Sequence, residues 1–181
     1  MANTERSFLK KKTIVVIGEI NEKKVLYIQN SLAELYLSGS PDILVIISSK
    51  GGSVDCGLSI YDLLTLYPGK KTAVVTGEAS SMASVILQAC DKRFGTANAS
   101  ILVHNIRRRL TLDDLRDKRR LGEIIEDMEK VQNKIYDIVT KKSGKNLEQI
   151  KEKYEKDEPM TVEEAISFGF LDGVWDKPLP K

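Results

Sequence analysis

The sequence predicts an α/β fold of stacked β-α units, and three observations carry that expectation. Short apolar runs of strand length alternate with longer runs of helical periodicity. Turn signals separate them, at Ser38-Gly39-Ser40-Pro41 and Pro68-Gly69. The chain has 181 residues and shows no internal repeat or low-complexity segment. That length fits one domain burying on the order of 70% of its unfolded surface, enough for a core without disulfides or metals.

In chain order, Thr13 to Ile17 reads as a short buried strand and Glu22 to Leu37 as a helix. A strand over Ile43 to Ile47 leads through Ser48-Ser49-Lys50-Gly51-Gly52-Ser53 into a helix over Val54 to Tyr67. A third strand over Lys71 to Thr76 ends in the small-residue turn Gly77 to Ser81, and a helix runs from Met82 to Ala89. Ile101 to Val103 reads as a strand. From Leu112 to Thr140 the apolar residues Leu121, Ile124, Ile125, Met128, Val131, Ile135, Ile138 and Val139 recur at three- and four-residue spacing, which predicts one long amphipathic helix. Its 29 positions would span about 43 Å, against a radius of gyration of roughly 16 Å for a compact domain of this length. The helix is therefore expected to project, its stripe covered by another subunit. Lys141, Lys142 and Gly144 close it, and Asn146 caps a short helix after it.

Composition excludes several function classes. The chain carries 28 Lys and Arg against 26 Asp and Glu, so no overall field favours nucleic acid or an anionic membrane. The clusters Arg107 to Arg109 and Lys118 to Arg120 are interleaved with Asp113, Asp114 and Asp117, as on a solvated face or an interface. No apolar h-region or membrane-length run is present, so a cytoplasmic location is expected. Cys56 and Cys90 fall in expected helices without metal-ligand spacing and read as small core residues of a reducing compartment. Nothing in the pattern asks for a cofactor or a metal.

The chemistry concentrates at Thr76-Gly77-Glu78-Ala79-Ser80-Ser81-Met82-Ala83-Ser84, where a strand gives way to a helix start. Small residues there leave room for a substrate carbonyl, and the free N–H groups of the first helical turn can stabilise an oxyanion beside a serine hydroxyl. The same pattern also serves plain capping, so its reading depends on its neighbours. Ser100-Ile101-Leu102-Val103-His104 delivers the single histidine of the chain to a strand end. The glycine turn at Gly51-Gly52 offers N–H groups for the other half of an oxyanion hole. Glu155-Lys156-Asp157-Glu158-Pro159 places carboxylates before a turn, a position from which an acid can orient an imidazole.

These four elements in this order, with the words Gly-Gly-Ser-Val and Gly-Leu-Ser-Ile-Tyr-Asp between Gly51 and Asp62, Gly-x-Ala-Ser-Ser-Met-Ala at Gly77 to Ala83, and Asp-x-x-Met-Thr-x-x-Glu-Ala-x-x-x-Gly-x-x-Asp from Asp157 to Asp172, resemble the proteolytic subunit of the Clp protease, within the wider crotonase-like fold. The resemblance runs from about Thr13 to Val174. It implies a serine endopeptidase with Ser81 as nucleophile, His104 as general base and Asp157 as orienting acid, and with the N–H groups of Gly52 and Met82 as oxyanion hole. It also implies that the long helix, about residues 111–142, is a handle joining two heptameric rings, that the peptidase domain covers 13–176 between a short N-terminal segment (1–12) and a tail (177–181), and that the partners are peptide or unfolded protein, copies of the chain, and an AAA+ unfoldase.

The chain departs from the family pattern at three places. Lys50 replaces the proline that usually precedes the glycine pair. Asn105-Ile106-Arg107-Arg108-Arg109 stands where family members read Gln-Pro and glycines, a segment that docks substrate. Twelve residues precede Thr13, where family members carry a longer segment lining the axial pore. Two other readings stay open: a crotonase-like acyl-CoA hydratase or thioesterase, against which a Ser-His-Asp set speaks, and a catalytically silent ring subunit.

Overall fold

The computed structural model describes residues 8, 9 and 11–179. Most of the expected N-terminal segment and the last two residues of the expected tail therefore lie outside the described residues. Six strands and seven helices with described ends follow one another: β1 (Thr13–Ile17), α1 (Glu22–Leu37), β2 (Ile43–Ser49), α2 (Val54–Leu66), β3 (Lys71–Ser80), α3 (Met82–Leu87), β4 (Lys92–Gly95), β5 (Ser100–Leu102), α4 (Leu112–Arg116), α5 (Lys118–Ser143), α6 (Leu147–Lys156), α7 (Val162–Phe168) and β6 (Gly173–Val174). The strands form one sheet in the order β1-β2-β3-β4-β6, and every pairing is parallel. β4 pairs with Thr72 to Val75 of β3, and β5 takes the same edge further along, at Glu78 to Ser80. This is the α/β architecture the sequence predicts.

A parallel sheet buries both faces, which is why its strands read as unbroken apolar runs. Ile14, Val16, Val45, Ile47, Ala73 and Val75 face the larger core beneath the helices. The alternate residues Val15, Leu44, Ile46 and Val74 form a smaller cluster on the opposite face, with Tyr27 and Trp175 packed against it.

Two elements differ from the sequence reading. β3 does not stop at Thr76 but continues to Ser80. Between the pairs Ile47–Val75 and Ser49–Ala79 the strand β2 advances two residues while β3 advances four. Gly77, at φ +138°, takes up the extra length. The expected small-residue turn is thus a bulged strand, and the reversal itself is confined to Ser81. The helical run from Leu112 is likewise broken at Asp117, whose backbone is extended and whose side chain accepts from the N–H groups of Arg119 and Arg120. An N-cap ends one helix and starts the next, so the expected long helix is α4 followed by the 26-residue α5 rather than one helix. α4 is tied back to α5 by Asp114, which pairs with Arg120 at 2.7 Å. Hydrogen bonds from the Thr111 N–H and hydroxyl, with Arg120 beside them, hold the Asp114 carboxyl below its ordinary range.

The apolar stripe of α5 also divides. Ile135 and Val139 are buried in the core of the domain, whereas Ile125 on α5, with Leu112 and Leu115 on α4, remain exposed. β4 carries no apolar signal, because its buried residue Arg93 is satisfied by Asp172, Gln88 and the Gly169 carbonyl. Cys90 falls just beyond α3 and is buried, and Cys56 lies in α2, partly exposed. Among the described residues no helix is long and apolar enough to cross a membrane.

Candidate active site

Ser81 sits at φ 54°, ψ −124°, a backbone conformation that non-glycine residues avoid and that costs on the order of 1–3 kcal/mol. Three hydrogen bonds hold it there. Its N–H donates to the Leu102 carbonyl at 2.8 Å, and its own carbonyl accepts from the Ser84 N–H at 3.0 Å and the Ser84 hydroxyl at 2.6 Å. The strain sets Ser81 between the end of β3 and the start of α3. Met82 therefore opens α3, and its N–H is one of those a first helical turn leaves free.

The glycine turn closes over this corner. A Cβ on Gly51 would lie 2.8 Å from both the Ser80 carbonyl oxygen and the Ser81 Cβ, and one on Gly52 would lie 2.3 Å from the Ile20 carbonyl oxygen. Both have positive φ, +93° and +154°, so only glycine fits on two counts. The bridge to Ile20 uses the Gly51 carbonyl and the Ser53 N–H, each at 2.9 Å, and so leaves the Gly52 N–H out of it. Ser49, whose hydroxyl accepts from the Gly51 N–H at 3.0 Å, fixes the turn in place of the missing proline at Lys50.

Gly52, Ser81, Met82 and His104 line one cavity of about 110 Å³, walled further by Val54, Val85, Ile106, Arg107, Ile135 and Tyr154. Four of the five expected site residues thus meet. His104 Nδ1 lies 2.7 Å from the Asn105 carbonyl oxygen. A carbonyl can only accept, so this contact assigns the proton to Nδ1 and leaves Nε2 as the basic nitrogen. The fifth residue is turned elsewhere. Asp157, left-handed at φ 51° as the C-cap of α6, forms a short ion pair with Arg107. The Met160 segment just after it bridges Ile101 of β5 through two backbone hydrogen bonds, at 2.7 and 3.1 Å, so the strand that delivers His104 and the turn that carries Asp157 are joined.

A fold with a serine corner, one glycine-turn N–H, one helix-start N–H and a histidine around one cavity fits many hydrolases, and comparison with known proteins narrows it. The family model described as Clp protease matches residues 1–178. The chain belongs to the Clp protease family. Among its relatives, the ATP-dependent Clp protease proteolytic subunit of Ligilactobacillus salivarius is 34% identical over 170 residues, 92% of this chain and 84% of that one. Subunit 1 of Protochlamydia amoebophila, under the same name, is 36% identical over 145 residues, 78% of this chain and 68% of its own. The subunit of Leuconostoc citreum is 31% identical over 172 residues, covering 93% and 85%.

Sequence reasoning missed what positions the histidine. The coil after His104 is pinned to α5 twice: the Ile106 N–H donates to Gln132 Oε1 at 2.7 Å, and the Tyr136 hydroxyl donates to Asn105 Oδ1 at 2.6 Å. Tyr136 is in turn braced edge-to-face by Tyr154, with ring centroids 5.2 Å apart. Burial pushes both phenols above their ordinary range, so each stays a neutral hydroxyl. Helix α5 thus fixes the residue whose carbonyl holds the imidazole. Aromatic residues at positions 136 and 154 were the available signal, hidden among core-forming residues of two amphipathic helices.

Proposed function

We propose that this chain is the subunit of a Clp-type serine endopeptidase that cleaves peptides and unfolded proteins by acyl transfer through Ser81. The observation that carries the reading is the strained Ser81 corner opening on the same cavity as a histidine whose Nδ1 proton is engaged and whose Nε2 is left basic. His104 Nε2 takes the proton from the Ser81 hydroxyl as its oxygen attacks the substrate carbonyl, then passes it to the leaving amine. The N–H groups of Gly52 and Met82 bind the tetrahedral oxyanion, each worth on the order of 3 kcal/mol. Water then repeats the sequence on the acyl-enzyme. Asp157 completes the set by replacing the Asn105 carbonyl at Nδ1, where its charge stabilises the imidazolium.

The working form in this proposal is a ring assembly in the cytoplasm, with a peptidase domain over 13–176 and heptameric rings joined through the handle. Exposed apolar Leu112, Leu115 and Ile125 on α4 and α5 support it. The relatives are proteolytic subunits of an ATP-dependent Clp protease, which is the basis for an AAA+ unfoldase as partner. Sedimentation velocity reads the assembly, and a monomer at every concentration would reject it.

The silent-subunit reading is favoured by one observation, the pairing of Asp157 with Arg107 instead of His104. A fluorophosphonate probe separates the two. Intact mass and peptide mapping are expected to show one label, on Ser81, lost in Ser81→Ala and in His104→Ala but kept in Ser80→Ala and Ser84→Ala. No label on the wild type means a silent subunit, and a label that survives Ser81→Ala removes Ser81 from its role.

A further inference from the structure

The contact expected between Asp157 and His104 is replaced on both sides. Asp157 gives Oδ2 to Arg107, and His104 gives Nδ1 to the Asn105 carbonyl. Arg107 is the charged member of the cavity wall beside Ser81 and His104. Its side chain is 67% exposed against 38% for Asp157, so the guanidinium is open to a group arriving from solvent. Arg108 and Arg109 follow it in the same irregular segment and are exposed too. Asp114 of α4, whose carboxylate feels the charge of Arg108, is already committed to Thr111 and Arg120.

An exposed ion pair of this kind is weak and exchanges readily. An arginine also presents a fork that a carboxylate can meet through two parallel hydrogen bonds. We propose that Arg107 is a specificity-determining and positioning residue: it holds Asp157 until an acidic side chain of the substrate takes the place of that carboxylate, which frees Asp157 to move to His104. Peptides carrying Asp or Glu beside the cleaved bond are then cut faster than neutral ones. The inference rests on the serine-peptidase reading above and adds to it the substrate class and the means of alignment. No new bond chemistry is involved; one carboxylate replaces another on the same guanidinium.

The test uses the full chain and paired fluorogenic peptides that differ only by Glu or Gln at the residues flanking the cleaved bond, with kcat and KM measured separately. The wild type is expected to favour the Glu peptide about five- to tenfold in kcat/KM, a preference that fades as salt is raised. In Arg107→Gln the preference disappears, KM for the Glu peptide rises to that of its Gln partner, and kcat on the neutral peptide increases about two- to fivefold because the weak hold on Asp157 is gone. Arg107→Lys restores part of the preference, since it keeps the charge and loses the fork. A merely structural arginine would not, on removal, raise KM for the acidic peptide alone while raising kcat on the neutral one. Equal rates on the two peptides in the wild type, or a preference that persists in Arg107→Gln, would overturn the proposal. Fluorophosphonate labelling of Ser81 needs no acidic side chain and is run alongside. Labelling without a Glu preference overturns this inference alone, and no labelling overturns the peptidase reading together with it.

Discussion

Ser81 and Asp157 share a positive φ, 54° and 51°, yet the molecule holds them in opposite ways. Around Ser81 every constraint is internal to the sheet and its connections: a bond to β5, two from Ser84, and a glycine turn packed at van der Waals distance. Asp157 is half exposed at the end of α6, and its side chain is held by one ion pair to an arginine in an irregular segment. The proposed nucleophile is therefore preorganised by the fold, as oxyanion stabilisation demands. The acid rests on a contact worth little, so a substrate or a neighbouring subunit can redirect it at small cost.

The largest expected effect breaks that comparison at its adjustable end. Asp157→Asn should lower kcat on neutral peptides by up to about ten-thousand-fold, because the uncharged amide cannot stabilise the imidazolium at Nδ1. Folding should be unchanged, as the side chain is half exposed and αL tolerates asparagine. A loss below about tenfold would mean that the Asn105 carbonyl alone orients His104, and that the adjustable side has no part in the chemistry.

At the rigid end the expected loss is smaller but is accompanied by instability. Gly51→Ala places a methyl group against the Ser80 carbonyl and Ser81 at positive φ, so Ser81 and Met82 must shift. A displaced oxyanion donor should cost about 10²- to 10³-fold in kcat, and the backbone strain about 1–3 kcal/mol of stability. Gly144→Ala supplies the contrast, since it also has positive φ but nothing within 4 Å of the added methyl. It should lower the thermal midpoint and leave kcat alone. Equal kinetic effects of the two variants would show that the close packing at Gly51 is not what fixes the nucleophile.

The same division governs what could be read from sequence. Strands β1, β2 and the first part of β3 were legible because both faces of a parallel sheet are apolar, and Ser81, Met82, Gly52 and His104, which line one cavity, were singled out through the family resemblance on strand ends and a glycine turn that stand out locally. The continuation of β3 through Gly77-Glu78 was not legible, since a bulge carries no periodicity. β4 was hidden because its burial rests on Arg93 and a distant Asp172. The break at Asp117 was missed because the apolar spacing that predicted the helix, Leu121 to Val139, lies wholly within α5, and the charged run from Arg116 to Arg120 carries no periodicity that would mark a break. Arg107 read as part of a solvated basic cluster, because its pairing depends on the path of a coil and on a residue 50 positions away.

The smallest effect concerns how tightly the rigid side stays closed. Cys90 lies just beyond α3, the helix that Ser81 starts, and burial pushes its thiol up to about 12, with nearby Lys71 only partly offsetting this. A raised pKa means a neutral thiol through the physiological range: at pH 8 about one molecule in ten thousand carries the reactive thiolate. Cys56, partly exposed on α2, has no such burial. Iodoacetamide at pH 8 should therefore label Cys56 within minutes to hours and leave Cys90 unlabelled until denaturant is added, as read by peptide mass. If the serine corner opens locally, Cys90 labelling appears below the global unfolding transition and its rate tracks the open population. In Gly51→Ala that early labelling should appear, and in Asp157→Asn it should not, because only the first variant loosens the packing around α3.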